Sequence, residues 1–196
     1  MCYNVHENLK SLDVAQLQEL SKQSRLPYSV CLMNLEYDLN IGNCIRSAHI
    51  LGAERVFIFG KRKYDSRSTV GAHNYIDVVK YDFQELTDES VIGAKFEEMV
   101  TSYKLRPIII EKTDISEDIR DIPKFSMTDN MCLVFGNEQN GIPECISSKY
   151  PCYHINQRGV IRSMNVASAA AIAMYEFSNK LERIYKNTTT YKKAWV

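Results

Sequence analysis

The chain has 196 residues, 45% of them hydrophobic and 24% charged, enough for one sizeable core and short for two independent domains. Its 24 basic and 24 acidic side chains cancel, so no overall field draws it to a polyanion and any nucleic-acid surface has to be a local patch. No window approaches the roughly 18 consecutive apolar residues of a membrane span, and Met1 to Lys10 lacks the layout of a secretory signal, which predicts a cytoplasmic protein.

Leu9, Leu12, Val14, Leu17 and Leu20 recur at roughly helical spacing, with Asp13 and Gln16 as a D-x-x-Q capping box, and predict a helical extension over 1–27. From residue 28 the pattern changes to short apolar runs that read as buried strands. These are Val30 to Asn34, Val56 to Gly60, Ile76 to Val79, Ile108 to Glu111, Met131 to Gly136 and Tyr153 to Ile155. Helical or polar stretches between most of them imply crossover connections. The fold class is therefore α/β, a mostly parallel sheet flanked by helices, over 28–185.

Helices are predicted over Asn43 to Leu51, Val91 to Lys104, Pro143 to Lys149 and Asn165 to Ile184. In the last, Val166, Ala170, Ala173, Phe177, Leu181 and Ile184 form one apolar stripe, and the small side chains at its start suit close packing. The tail 186–196 is polar apart from Tyr191 and Trp195. The six cysteines, Cys2, Cys31, Cys44, Cys132, Cys145 and Cys152, include no CxxC pair and read as reduced core thiols. The four histidines show no ligand spacing, so no metal is expected.

Three segments carry chemistry. In Asn40-Ile-Gly-Asn-Cys-Ile-Arg46, Asn40, Gly42 and Asn43 suit a tight turn and helix cap, which would leave Arg46 in the first helical turns near exposed N–H groups, a place for phosphate. In Leu133-Val-Phe-Gly136-Asn137-Glu138-Gln-Asn-Gly141, an apolar strand runs into a glycine-flanked loop holding a carboxylate, where open α/β sheets bind ligands; an ordinary turn before a helix fits the same letters. In Arg158-Gly-Val-Ile-Arg162-Ser163-Met164-Asn165, Ser163 and Asn165 are natural caps for the final helix, and the two arginines add charge suited to RNA. A separate basic patch, Lys61-Arg62-Lys63-Tyr-Asp-Ser-Arg67, serves equally as an RNA contact or as a solvated loop.

Together these segments resemble the three signature motifs of the SpoU family, the ribose-methylating branch of the SPOUT superfamily: N-x-G-x-x-x-R, a strand followed by G-x-E-x-x-G, and S-L-N at the head of the last helix. Here they stand as Asn40-x-Gly42-x-x-x-Arg46, Gly136-Asn-Glu138-Gln-Asn-Gly141 and Ser163-Met164-Asn165, with Met164 a volume-conserving replacement for leucine. The resemblance covers about Tyr28 to Phe177.

It implies a deep C-terminal trefoil knot, S-adenosyl-L-methionine as cofactor, a homodimer, and RNA (tRNA or rRNA) as the partner that is methylated on a ribose 2′-hydroxyl. The cofactor residues it implies are Glu111, Thr113, Gly136, Asn137, Gly141, Ile155, Ser163, Met164 and Asn165. The catalytic set is Arg46, Asn40, Glu138, Ser163 and Asn165, with Lys61, Arg62, Lys63, Arg67, Arg158 and Arg162 on the RNA. Arg46 holds the place of the family arginine proposed as general base. A guanidinium does not ordinarily deprotonate in proteins, so clamping a phosphate and stabilising charge on the attacking oxygen is its easier role, with Asn40 orienting it.

Rival readings fit less well. No G-x-G-x-x-G follows the first strand and no P-loop occurs, which argues against a dehydrogenase or a nucleotide hydrolase. The first strand is followed by Glu36-Tyr-Asp-Leu-Asn40, not the glycine-rich loop of Rossmann methyltransferases. A non-catalytic RNA-binding or assembly factor of the same fold, or a base-modifying relative, remains the alternative.

Overall fold

The strands predicted from the apolar runs at Val30, Val56, Ile108 and Met131 form because they are covered on both faces. The structure, a computed structural model, describes residues 4–82, 88–123 and 129–185. Among these, β1 (Tyr28–Met33), β2 (Arg55–Phe59), β3 (Asp77–Tyr81), β4 (Arg106–Ile110), β5 (Glu117–Asp118), β6 (Met131–Phe135) and β7 (Cys152–His154) pair in parallel, in the order β3-β2-β1-β6-β4-β7-β5. The predicted polar tail 186–196 and Cys2 lie outside the described residues.

Alternation along β1 sorts the core into two layers. Tyr28, Val30 and Leu32 face one side, where they meet Ile41, Cys44, Ile45, Phe177 and Leu181. These come from α2 (Asp38–Ile50) and α6 (Val166–Tyr185). Cys31 and Met33 face the other, with Phe57, Phe59, Phe96 and Met99, the last two on α4 (Glu89–Ser102). Buried Ala170 and Ala173 on α6 and Ala48 on α2 let those two helices pack closely over the first layer, which is what the small-residue start of the last helix foretold. Cys31, Cys44 and Cys132 are buried free thiols, and burial with Glu138 nearby pushes Cys44 up to about 12. No helix among the described residues is long and apolar enough to cross a membrane.

The capping box forms as read: Gln16 N–H donates to Asp13 Oδ1 at 2.8 Å, and Asp13 N–H donates to Gln16 Oε1 at 2.9 Å. It opens α1 (Val14–Gln23), which is fastened to the main chain ahead of β3. Gln18 Nε2 donates to the Asn74 carbonyl (2.9 Å), Ser21 Oγ to that of Tyr75 (2.7 Å), and the Arg25 guanidinium also to Tyr75 (3.0 Å).

One helix begins earlier than predicted. α2 starts at Asp38, with extended Tyr37 as its N-cap, so Asn40, Gly42 and Asn43 are helical and form neither turn nor cap. The chain is turned instead by Asn34, in the left-handed region at φ 51°. Arg46 therefore sits in the third turn and not, as expected, among the free N–H groups of the helix start. Two further short helices are α3 (Ser66–Thr69), inside the stretch read as a possible solvated loop, and α5 (Glu144–Ser147). β5 has no apolar run and was not predicted.

Candidate functional site

Because every strand among the described residues pairs in parallel, their strand-to-helix loops leave the sheet at one edge. Successive strands step outward from β1 to β2 and β3 in one direction and lie on the far side of β6 in the other, so the chain reverses its course at the β1–β6 pair. Such a switch point opens a crevice beyond the strand ends. There the three motif segments meet.

Past Leu32 and Phe135, the last registered pair of β1 and β6, Asn137 Nδ2 donates to the Asn34 carbonyl at 2.7 Å. Its Oδ1 accepts from the N–H groups of Gln139 and Asn140, both at 2.9 Å, and its main chain pairs with Gly141 at 2.9 and 3.0 Å. The 137–141 loop is thus a closed, internally bonded turn, and the side chain expected to touch cofactor is committed to building it. Gly141 has φ +67°, and a Cβ there would come within 2.1 Å of Glu111 Oε1. At Gly136 a Cβ would meet the carbonyl carbon of Gly141 at 2.5 Å, main chain against main chain.

Glu138 ties this loop to the first motif. Its Oε1 accepts from Asn40 Nδ2 at 2.8 Å and its Oε2 from the Glu36 N–H at 3.0 Å. Asn40 Oδ1 in turn accepts from Asn165 Nδ2 at 3.1 Å. Asn165 Oδ1 accepts from the N–H groups of Ala167 (2.9 Å) and Ser168 (3.2 Å), capping α6. Both amide orientations are forced: a carboxylate only accepts and helix N–H groups only donate, so each asparagine must turn its nitrogen toward the Glu138 end.

Asn40 is therefore spent on Glu138 and Asn165 and does not orient Arg46 as expected. Arg46 is exposed and makes no hydrogen bond or ion pair among the described residues. Ser163 is likewise exposed without a hydrogen bond among them, and the cap predicted at Ser163 or Asn165 falls to Asn165 alone.

The remaining predicted residues line the loops after β4 and β7. Glu111 is half-buried, its Oε2 accepting from the Ile142 N–H at 3.3 Å, and burial holds its carboxyl above the usual carboxylate range. Thr113 is held through Ser116, whose Oγ donates to the Thr113 carbonyl (2.8 Å), accepts from its N–H (2.9 Å) and lies 2.9 Å from His154 Nδ1. Ser116 and His154 carried no recognisable spacing in the sequence; only the pairing of β5 with β7 brings them together. Ile155 is half-buried and Met164 exposed.

Of the cations, Lys61, Arg62, Lys63, Arg158 and Arg162 are exposed, while Arg67 is engaged by Asp65 at 2.9 to 3.2 Å. A cavity of about 320 Å³ lies by the N-terminal ends of β4 and β6, against Pro107, Met131 and Tyr153.

A testable consequence attaches to Glu111. A carboxylate with a raised folded-state pKa opposes folding at neutral pH, and that opposition disappears once the pH falls below the ordinary carboxylate range. Glu111→Gln is expected to raise the melting temperature at neutral pH and leave it nearly unchanged in acid. A less stable variant at neutral pH would show that the carboxylate's contact with Ile142 outweighs its burial.

The parallel sheet and the loops gathered at its switch point define an α/β protein with a candidate ligand site at the strand C-termini. Residues 27–175 match the model of the SpoU rRNA Methylase family, and the chain belongs to that family. Among curated relatives, the Bacillus subtilis putative TrmH family tRNA/rRNA methyltransferase YacO is 29% identical over 182 residues, covering 86% of this chain and 66% of that protein. The mouse tRNA (guanosine(18)-2′-O)-methyltransferase TARBP1 is 24% identical over 146 residues, 72% of this chain and 9% of that protein. The chain spans just under two thirds of the first and under a tenth of the second.

Solved structures share the fold. The A. aeolicus TrmH/SpoU tRNA modifying enzyme superposes with a TM-score of 0.72 at 19% identity, covering 88% of this chain and 84% of that one. AviRb from Streptomyces viridochromogenes, in complex with AdoMet, gives 0.63 at 24%, covering 83% and 62%.

Proposed function

We propose that this protein transfers a methyl group from S-adenosylmethionine to a ribose 2′-hydroxyl of RNA, with tRNA the first substrate to test and rRNA the second. The observation that carries the reading is the Glu138–Asn40–Asn165 chain, which gathers all three motif segments at the switch point, on the same helix as an uncommitted arginine. Family membership supports the class of reaction, and the name of the mouse relative supports the 2′-oxygen and tRNA. The deep trefoil knot of the family belongs to the same reading.

The residues present suit the cofactor. The loops after β6, β4 and β7 leave adjacent strands, and Gly136 and Gly141 keep side chains out of the tightest of them. Main-chain groups at Gly136, Asn137, Gly141, Ile155 and Met164 would hold the adenosine, and polar groups at Glu111, Thr113, Ser163 and Asn165 the remainder. The cofactor supplies an electrophilic methyl on a sulfonium. The chain's residues supply alignment and an outlet for the hydroxyl proton. Arg46 clamps a substrate phosphate and stabilises the negative charge growing on the attacking oxygen, while the proton passes to solvent or phosphate.

Exposed Leu39 and Ile50 on α2 and Ile172 and Tyr175 on α6 give two packed helices apolar outer faces. A two-fold dimer that covers them is part of the reading. Sedimentation is expected to give a dimer, and a monomer for Tyr175→Asp; a wild-type monomer would remove this element. The reaction itself is tested by incubating the protein with methyl-labelled cofactor and separated unmodified tRNA and rRNA. Label in one RNA fraction supports it, whereas cofactor binding without label in either points to the non-catalytic alternative.

A further inference from the structure

A glycine inside a helix is less favourable than alanine, so Gly42 in the second turn of α2 calls for a reason outside the helix. The reason is the turn that leads into α3. An alanine Cβ at position 42 would lie 1.7 Å from Ser68 Oγ, 2.8 Å from the Asp65 carbonyl oxygen and 3.0 Å from Ser68 Cβ. The turn is fastened in that space: Asp65 N–H donates to the Asp38 carbonyl of α2 at 3.2 Å, and Ser68 Oγ donates to the Asp65 carbonyl at 2.7 Å.

This turn is the far end of the loop that carries Lys61, Arg62 and Lys63 away from β2. It is firmly built beyond α3 as well. Val70 holds a left-handed φ of 48°, rare for a β-branched residue, and beside it Thr69 Oγ1 donates to the Ser66 carbonyl at 2.7 Å and meets His73 Nδ1 at 2.6 Å. Arg46 stands four residues beyond Gly42, one turn along the same helix. The spacing of glycine and arginine in the first motif thereby sets the seat of the basic loop next to the residue assigned to the reacting ribose.

We propose that Gly42 is a positioning residue for RNA: the space left by its missing side chain seats the 65–68 turn on α2, so that Lys61, Arg62, Lys63 and Arg46 form one phosphate-binding surface. The proposal rests on the RNA methyltransferase reading. Lifting the turn separates these cations and lowers the number of phosphates neutralised together, which weakens RNA binding and flattens its salt dependence.

Gly42→Ala and Ser68→Val press on the contact from opposite sides, and if the first fails to fold the second carries the comparison. With an unmodified tRNA transcript as probe, each is expected to weaken binding on the order of tenfold and to reduce the slope of log K against log salt by about one. Cofactor affinity stays within about twofold. With Lys61, Arg62 and Lys63 all replaced by alanine, adding Gly42→Ala costs little more, because the two changes act through one surface. A full additive loss in that background, or an equal loss of cofactor affinity, overturns the proposal.

Trypsin cleavage after Lys61, Arg62 and Lys63, measured without RNA, is expected to be faster in Gly42→Ala; an unchanged rate beside weakened RNA binding also overturns it. A wild-type protein that binds neither tRNA nor rRNA refutes the RNA reading, and trypsin then reports on the seat alone.

Discussion

Replacing Arg46 by alanine is expected to reduce methyl transfer by at least about 10²- to 10³-fold while leaving S-adenosylmethionine affinity within about twofold. The expectation follows from where the side chain stands. Arg46 is exposed in the third turn of α2 and is bonded to none of the described residues, so its removal strands no buried partner and leaves the loops after β4, β6 and β7 as they are. On the proposed reading, what is lost is the guanidinium that clamps a substrate phosphate and stabilises the developing oxyanion. Arg46→Lys separates these contributions: a lysine keeps the charge but not the planar fork, so a partial recovery measures how much of the effect is charge alone. Calorimetric titration of the cofactor alongside single-turnover methylation checks both halves. Loss of cofactor affinity in Arg46→Ala would move the residue from the substrate side of the site to the cofactor side.

Gly136→Ala is expected to do the converse and weaken cofactor binding by about ten- to a hundredfold, with methyl transfer falling in proportion. A Cβ at this position meets the Gly141 carbonyl carbon at 2.5 Å and the carbonyl oxygen at 2.8 Å, and main chain cannot rotate away as a side chain can. The 137–141 turn would have to lift from β6, taking with it the Asn137 bond to Asn34 and the Glu138 bond to Asn40. Both the melting temperature and the cofactor titration should record this. An unchanged titration would mean that the loop bends without cost and that the cofactor does not rest on it.

Much of this site could be read from the letters, and the remainder lies in contacts the letters do not carry. The buried strands declared themselves because residues such as Val30 to Leu32 and Leu133 to Phe135 are apolar on both faces of the sheet. The Asp13–Gln16 box and the stripe of α6 are local patterns, and local patterns are legible. α2 starts before the position its letters suggest because Asn40 and Asn43 have the chemistry of caps, whereas the residue that fills the cap position, Tyr37, does not. β5 is two polar residues that exist as a strand only because β7 offers them an edge.

The roles of the asparagines depended on partners far away in sequence. Asn40 is bonded across 98 residues to Glu138 and across 125 to Asn165, and neither separation leaves a trace in composition or period. The resemblance named the motif residues as one group, but it could not say which of them bind one another and which stand open. The structure divides them: Asn40, Asn137, Glu138 and Asn165 bond to other residues across the loops, and Arg46 and Ser163 stand exposed with no side-chain partner among the described residues.

Whether the methyl group goes to a ribose oxygen, as proposed, is tested most directly by the fate of the labelled RNA in alkali. A 2′-O-methyl group blocks attack on the neighbouring phosphate, so hydrolysis of RNA labelled by the wild-type protein should leave the label in alkali-resistant dinucleotides, with none in the Arg46→Ala control. Label released in mononucleotides would place the methyl on a base and contradict the account.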